Sequence, residues 1–211
     1  MNHALRDYLS SINDCSRAVI KAKAFAFVLE HMRFTIDEHD WFPCFYNWNR
    51  PINFFTVDRW KAEIYGENSP IPVSLLTFKK EYAESGDVVS YLDCDHSVPD
   101  WYALYELGFP GVKERAQKYR NEHGFLTELE TGFYESIDIA YDAILHLLER
   151  MADYARVCTF EKAPYITRAL DNLRAGAPTD TYERLMLIYI YFMLSESVDS
   201  FQVRSLGSGL D

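Results

Sequence analysis

The sequence predicts a mainly α-helical chain, and three stretches carry this prediction. Apolar residues recur at steps of three and four along residues 127–158, the spacing of one buried helix face. Residues 16–32 contain good helix formers without Gly or Pro, and they begin at a serine that can serve as N-cap. Residues 181–200 follow a Gly-Ala-Pro break and an N-cap at Thr179 or Asp180.

The helix at residues 127–158 has the clearest pattern. Its expected buried stripe consists of Phe133, Ile137, Ala140, Ile144, Leu147, Met151, Tyr154 and Cys158. A shorter helix is predicted over residues 163–175, because Gly176 and Pro178 end it. The last helix contains "LMLIYIYFML", which is apolar on every side, so we expect the protein to enclose it completely.

Residues 33–56 interrupt the helical pattern with prolines, asparagines and many aromatic rings. The rings concentrate at residues 41–55, and such a segment needs cover because it would aggregate if exposed. Two short helices are predicted next, over residues 57–66 and 73–86, each ending at a glycine. A short strand is then predicted at residues 88–92.

The stretch "DCDHSVPDWYALYELGFPG" follows this strand and begins with a polar cluster. Its first four residues, at positions 93–96, are two acids, a cysteine and a histidine. Pro99 and Asp100 then open a predicted helix. A Gly-Phe-Pro-Gly turn at residues 108–111 separates that helix from a polar one, "VKERAQKYRNEHG".

Composition limits the partners and the location. The net charge of −11 repels nucleic-acid phosphates, and no basic cluster favours an anionic membrane. The N-terminus carries charges where a signal peptide needs an apolar stretch, and the longest apolar run, residues 185–194, is too short to cross a bilayer. We therefore expect a soluble, cytoplasmic chain with no nucleic acid and no membrane as partner. Its 4 cysteines are widely spaced, which predicts reduced thiols.

Two features predict that these residues form an incomplete unit. The predicted helices make too thin a layer to enclose both the apolar run at 185–194 and the rings at 41–55. The sequence also stops at "VDSFQVRSLGSGLD", a glycine-rich turn soon after a helix expected to be buried. We expect more polypeptide to complete the core.

Several interpretations compete for the polar cluster. As a metal site, Asp93, Cys94, Asp95 and His96 offer suitable atoms, but zinc sites use spaced pairs of ligands rather than contiguous ones. As a nucleophile, Cys94 beside His96 is opposed by the neighbouring acids, which disfavour a thiolate. As the wall of a ligand pocket, His96 would hydrogen-bond a small polar substrate, since polar groups at strand ends do so in barrels. A polar turn without chemistry is the remaining interpretation.

Several motifs stand in a definite order along the chain. His96 is followed by Pro-Asp-Trp at 99–101, by a helix, and by Gly-Phe-Pro-Gly-Val at 108–112. The opening "KAKAFAFVLEHMRFTIDEHD", the helix "FYESIDIAYDAILHLLERMADYA" and the end "FQVRSLGSGLD" flank this run. In order and spacing, the set resembles the N-terminal part of the glycyl radical enzyme superfamily, the pyruvate formate-lyase-like group. The resemblance covers nearly the whole chain.

The resemblance implies a fold and a radical chemistry. Family members are ten-stranded α/β barrels, so residues 1–211 would be the helical N-terminal segment of a pyruvate formate-lyase-like domain. In the family, a radical-SAM activating enzyme uses S-adenosylmethionine and an iron–sulfur cluster to install a glycyl radical on a C-terminal loop. That radical generates a thiyl radical on a mid-chain cysteine. Neither the family's cysteine loop nor its glycyl loop occurs in this sequence.

The resemblance also implies substrate-binding residues. His96 resembles a histidine that contacts a substrate hydroxyl in dehydratase members. Residues 202–205 correspond to a segment near the same pocket, so Gln202 and Ser205 are assigned to substrate as well. Cys94 does not match the thiyl position. No catalytic residue, metal ligand or bound cofactor is assigned to this chain.

The function implied is that of an N-terminal fragment of a glycyl radical enzyme, inactive alone. The complete protein would be a C–C lyase or a dehydratase acting on a small polar molecule, with the activating enzyme as partner and a homodimer or split-gene second chain as assembly. One alternative is a helical binding protein that keeps the scaffold without the chemistry, using residues 185–194 and 41–55 as partner surfaces. Another is a metal-dependent hydrolase that uses Asp93, Asp95 and His96.

Overall fold

A computed structural model describes residues 2–12, 15–45, 77, 80–81, 84–85, 96–97, 99–195 and 202–203. Across these ranges the chain is mainly helical, as predicted. The helices are α1 (Asn2–Ser11), α2 (Arg17–Glu30), α3 (Trp101–Glu122), α4 (Glu128–Arg156), α5 (Ala163–Ala175) and α6 (Thr181–Met193). The strands are β1 (Phe34–Thr35), β2 (Cys44–Phe45), β3 (His96–Ser97) and β4 (Gln202–Val203). β1 pairs antiparallel with β2, and β3 pairs parallel with β4.

Two helices begin at side chains that cap them, of which Ser16 was predicted as an N-cap. The Ser16 hydroxyl accepts a hydrogen bond from the backbone N–H of Val19 at 3.3 Å, which starts α2. Thr127 and Glu130 form a reciprocal capping box at the start of α4. Each cap satisfies N–H groups that have no partner inside the helix. The helices predicted over 16–32 and 127–158 are therefore confirmed, with ends shifted by one or two residues.

A buried carboxylate organises the turn between α5 and α6. Asp180 caps α6 by accepting the N–H of Glu183 at 2.8 Å. Glu183 is fully buried, and its carboxylate accepts hydrogen bonds from Asn172 Nδ2, Thr179 N and Thr179 Oγ1 at 2.6, 2.6 and 2.8 Å. Since a buried charge is stable only when it is hydrogen-bonded, this network fixes the turn that follows Gly176, the predicted end of α5.

Helix α3 consists of two helical segments that meet at Gly108. This residue has φ 63° and ψ −178°, a backbone conformation essentially restricted to glycine. The sequence predicted a turn across residues 108–111, and this prediction is wrong in its extent. Pro110 and Gly111 already belong to the second segment. Proline is tolerated in the first turn of a helix because the N–H groups of that turn have no carbonyl acceptor inside the helix, so the N–H that proline lacks is not missed.

Helix α4 lies at the centre of the packing and contacts α2, α3 and α5. Arg150 of α4 donates hydrogen bonds to the carbonyl oxygens of Leu29 at 2.8 Å and Met32 at 3.0 Å. Its guanidinium also stands 5.6 Å from the ring centroid of Phe34 in β1. Because the last carbonyls of a helix have no partner inside it, Arg150 completes the C-terminal end of α2.

The predicted buried stripe of α4 is only partly buried. Ile144, Leu147 and Met151 are buried, whereas Phe133 and Tyr154 are 53% and 40% exposed. The half-buried members are Ile137, Ala140 and Cys158. The prediction of one continuous buried face is therefore wrong at both ends of α4, and the first turns are open because they line a cleft beside α2 and α6.

The start of the ring-rich segment is covered by α6. The ring centroids of Phe42 and Tyr189 are 5.1 Å apart. The Tyr189 hydroxyl donates to the carbonyl of Pro43 at 2.8 Å, and the Tyr182 hydroxyl donates to that of Trp41 at 2.6 Å. The expected cover is thus present only in part, because Phe42 and Pro43 are covered whereas the Trp41 side chain stays 51% exposed. The two tyrosine hydroxyls satisfy backbone carbonyls of this segment.

Helix α6 is not enclosed on every side. Met186, Leu187 and Ile190 are fully buried, but Leu185 and Phe192 are 40% and 36% exposed. The described residues therefore leave one face of α6 open, which agrees with the expectation that these helices make too thin a layer to enclose it, and enclosure by further polypeptide stays a prediction. An all-round apolar sequence shows that a helix can be buried, but the number of neighbours around it decides whether it is.

Several predicted elements fall outside the described residues, namely the helix over 57–66, the strand at 88–92 and everything predicted for 196–200. Of the helix predicted over 73–86, residues 77, 80–81 and 84–85 are described, and they are helical. The ten-stranded barrel also stays a prediction, since the strands of the described part form two two-stranded sheets. Among the described helices, none combines the length and hydropathy needed to cross a membrane.

Candidate functional site

The predicted substrate-binding residues His96 and Gln202 occupy paired positions. In the parallel pairing of β3 with β4, His96 lies opposite Gln202 and Ser97 lies opposite Val203. Parallel strands need a long crossover between them, and here the crossover contains α3, α4, α5 and α6. We call these four residues the strand-pair site.

Helices α3 and α6, which lie next to the two strands in sequence, contact each other through aromatic rings. Trp101 is the first residue of α3, is 2% exposed, and packs edge-on against Tyr191 of α6 with ring centroids 5.3 Å apart. The Asp100 side chain caps α3 by accepting the N–H of Ala103 at 3.1 Å. Since α3 follows β3 and α6 precedes β4, this ring contact brings together the two chain segments that lead to the strand-pair site.

The indole nitrogen of Trp101 is a buried donor. Within the described part of the chain, no acceptor lies within hydrogen-bond reach of its Nε1 atom. Buried donors are nearly always satisfied in folded proteins, so each exception needs a reason.

The rest of the predicted polar cluster lies outside the described residues. Asp93, Cys94 and Asp95 belong to this part, as does Ser205, so the metal and nucleophile interpretations stay predictions. Over the ranges that are described, no three His, Cys, Asp or Glu side chains come together as a metal site. The described cysteines, Cys15, Cys44 and Cys158, are free thiols.

A second feature is an apolar cleft between α2, α4 and α6, with a volume of about 480 Å³. Ala18 and Phe25 of α2 line one side, and Phe133 and Ile137 of α4 line the other. Phe109, which is 1% exposed, also lines it. The cleft therefore extends from half-exposed rings at its mouth to the buried core.

One part of this cleft is polar. Tyr141, Tyr191 and Ser195 belong to its lining. Burial raises the pKa of Tyr141 to about 12, and the neighbouring Tyr191 raises it further while Arg115 lowers it. Burial also raises the pKa of Tyr191, against the opposing effect of its hydrogen bond with Ser195. Both phenols therefore remain protonated hydrogen-bond donors at neutral pH.

The cleft was not predicted from the sequence. A signal was present, because Ala18 and Ala22 of α2 and Ala140 of α4 all line the cleft. Alanine fills little of the space between two helices. Small residues in a sequence nonetheless indicate close helix packing as readily as an opening, so the pattern alone cannot distinguish the two.

Comparison of the chain with protein-family models, with curated proteins and with solved structures gives no match in any of the three. The family resemblance therefore rests on the quoted motifs. Their residues occupy definite places in the fold: His96 in β3, Trp101 at the start of α3 and Gly108 at its break.

Proposed function

We propose that this chain is the N-terminal part of a glycyl radical enzyme of the pyruvate formate-lyase-like superfamily, and that β3 and β4 are strands of its ten-stranded barrel. His96, Gln202 and Ser205 then contact a small polar substrate that undergoes C–C cleavage or dehydration. The thiyl cysteine and the glycyl radical lie in polypeptide outside these 211 residues, since neither loop motif occurs among them. The chain is inactive by itself.

The observation that carries the proposal is the parallel register of β3 and β4. The resemblance assigned His96 and Gln202 to one pocket from two motifs that are far apart in the sequence. The backbone pairs these same two positions. Parallel strands joined through helices are the building unit of α/β barrels, and barrel enzymes bind substrate at strand ends.

The motif that follows β3 gives a second line of support. Asp100 caps α3, Trp101 packs against α6, and Gly108 adopts a conformation essentially restricted to glycine. Each motif residue thus holds α3 in place immediately after His96. A preorganised site requires the structure beside a substrate-binding residue to be held in place, and this motif holds α3 next to His96 in the sequence.

The proposed role of His96 depends on the reaction. In dehydration a hydroxyl leaves as water and needs one proton, which an imidazolium in contact with that hydroxyl can supply. In C–C cleavage no hydroxyl leaves, so the imidazole would only orient the substrate through a hydrogen bond. The pH dependence of turnover in the complete enzyme therefore distinguishes the two reactions, because proton donation requires the protonated ring.

The proposal assigns S-adenosylmethionine and the iron–sulfur cluster to the radical-SAM activating enzyme. The same proposal includes a cytoplasmic location, and assembly either as a homodimer or with a second chain from a split gene.

The coding sequence downstream of codon 211 tests the proposal. We expect it, or a neighbouring gene, to encode a cysteine loop and a C-terminal Arg-Val-x-Gly-Tyr-type loop. A stop codon with neither loop encoded nearby would contradict the proposal. In the complete enzyme, His96→Gln should reduce turnover and leave the radical yield unchanged, and the exposed His146 provides the control substitution His146→Gln.

The binding-protein alternative is favoured by one observation and weakened by another. Leu185 and Phe192 leave an apolar face of α6 exposed, as a partner surface requires. However, Phe42 and Tyr189 pack against each other, so the two surfaces proposed for partners partly cover one another. Size-exclusion chromatography separates the functions: a stable monodisperse species supports a binding protein, and aggregation with binding of an apolar dye supports an incomplete barrel.

A further inference from the structure

Cys15 and Lys23 bring two nucleophilic side chains into direct contact at the start of α2. The Lys23 ammonium donates to the Cys15 thiol, with 3.2 Å between Nζ and Sγ. Cys15 precedes Ser16, the N-cap of α2, and Lys23 lies in the second turn of the same helix. Both residues are partly exposed, so a small oxidant in solution can reach the pair. Neither belongs to the strand-pair site or lines the apolar cleft.

The other described thiols lie towards the opposite end of α2. Helices α2 and α4 run in the same direction, because Gly132 packs against the N-cap of α2 and Arg150 binds its last turn. Cys158 follows the end of α4, and Cys44 lies in β2, whose partner strand contacts Arg150. The 14 residues of α2 span about 20 Å, whereas a disulfide needs Cα atoms within about 7 Å. Among the described residues, an amine rather than a second thiol is therefore in place to react with oxidised Cys15.

A hydroperoxide would convert this contact into a covalent bond. Peroxide oxidises the thiol to a sulfenic acid and releases one water, and a sulfenic acid condenses with a neighbouring nitrogen to a sulfenamide. The hydrogen bond with Cys15 raises the pKa of Lys23, so the ammonium is the resting form. As the Nζ–Sγ bond forms, the sulfenic hydroxyl leaves as a second water, and Nζ loses one proton to that water and one to solvent. Sulfur loses two electrons, which the O–O bond of the peroxide accepts.

We propose that Cys15 and Lys23 form a redox-sensitive crosslink, an S–N bond made by a hydroperoxide and reversed by a thiol, that ties the residue before the N-cap of α2 to its second turn. Proximity carries the assignment, since reacting atoms held in contact need no further search for each other. The crosslink uses neither the strand-pair site nor radical chemistry. It therefore stands independently of the proposed function, and each can fail without the other.

Peptide mapping of the purified protein after treatment with hydrogen peroxide tests the proposal. Trypsin cleaves after unmodified Lys and Arg, so a modified Lys23 should leave residues 22–33 uncut. We expect mass spectrometry without reductant to find this peptide joined to residues 7–17, two hydrogens lighter than the two peptides together. Dithiothreitol should separate them. Mapping by peptide keeps this product distinct from oxidation of the other cysteines.

Two lysine variants test the partner. Lys23→Arg keeps the positive charge but offers a guanidinium that stays charged, so the joined peptide should disappear and dimedone should trap Cys15 as its sulfenic acid. Lys21→Arg, at a neighbouring lysine of α2, is the matched control and should keep the joined peptide. Absence of that peptide from the oxidised wild type, with Cys15 unmodified or labelled by dimedone as strongly as in Lys23→Arg, would overturn the proposal. A joined peptide that carries an extra oxygen would overturn the S–N assignment.

Discussion

Gly108 lies so close to Gly176 that a Cβ atom at position 108 would stand 2.2 Å from the Gly176 carbonyl oxygen. The contact joins the break in α3 to the turn that follows α5. The opposing atom belongs to the backbone, which cannot rotate away as a side chain could. Steric room and the φ of 63° both require glycine at position 108.

Gly108→Ala should lower the free energy of unfolding by about 3 kcal/mol, the sum of backbone strain and overpacking. Urea unfolding followed by circular dichroism measures this. Gly124 offers a matched control, because its φ is 72° but nothing lies within 4 Å of an added Cβ. Gly124→Ala should cost only the strain, about 1 kcal/mol. Equal losses for the two variants would show that the contact with Gly176 is not restrictive.

Glu183→Gln should destabilise the protein by about 2–3 kcal/mol, because an amide nitrogen would face donors that now bind a carboxylate oxygen. Those donors are Asn172 Nδ2 and the backbone and side chain of Thr179. The control is Glu130→Gln, at the equivalent position of α4 but on the surface, where the effect should be clearly smaller. Thermal unfolding of both variants at pH 7 makes the comparison, and equal shifts would contradict the assigned role of Glu183.

Ionisation of Tyr189 should lower the stability of the folded protein at alkaline pH. Burial raises the pKa of Tyr189 from 10.0 to about 12 in the folded protein. Between these values the unfolded chain releases the phenolic proton more readily, so stability is full below pH 10 and falls as the pH rises towards 12. In Tyr189→Phe this decline should be shallower than in the wild type. Denaturation midpoints from pH 8 upward measure it, with the exposed Tyr165→Phe as control; an unchanged slope in Tyr189→Phe would contradict the prediction.

Arg150→Lys should destabilise the protein by about 1–2 kcal/mol, although it keeps the charge. A lysine cannot donate in the same fork to the carbonyls of Leu29 and Met32. Hydrogen exchange should accelerate at the C-terminal end of α2. Arg174→Lys, whose partner Glu149 is a surface carboxylate, should have an effect near zero. Unchanged exchange in α2 would show that Arg150 does not hold that end.

Local signals in the sequence predicted the helices well. Ser16, Thr127 and Asp180 each cap the helix that begins after them, because capping depends only on neighbouring residues. Contacts between distant segments were the source of error. The break in α3 falls at Gly108 rather than across the whole motif because the Gly176 carbonyl meets it there. Likewise, the exposure of Leu185 depends on which helices surround α6.

Less of the candidate site than of the helices could be predicted from the sequence. Periodicity and composition say nothing about which residue pairs with His96, and only the family resemblance placed Gln202 near it. The pairing of β3 with β4 is a long-range contact, which a one-dimensional pattern does not contain. The cleft lined by Tyr141 and Tyr191 is likewise a product of helix packing.

The central claim is that this chain belongs to a glycyl radical enzyme, and electron paramagnetic resonance tests it most directly. The protein should be isolated anaerobically from its own cells, through a tag at the start of this sequence. It is then treated with an activating enzyme from the same cells, S-adenosylmethionine and a reductant. The account predicts a glycyl radical signal in the complete protein, destroyed by air, and none in the 211-residue chain alone. No signal in the complete protein, under conditions that activate a known family member in parallel, would contradict it, as would a glycyl signal in the isolated chain.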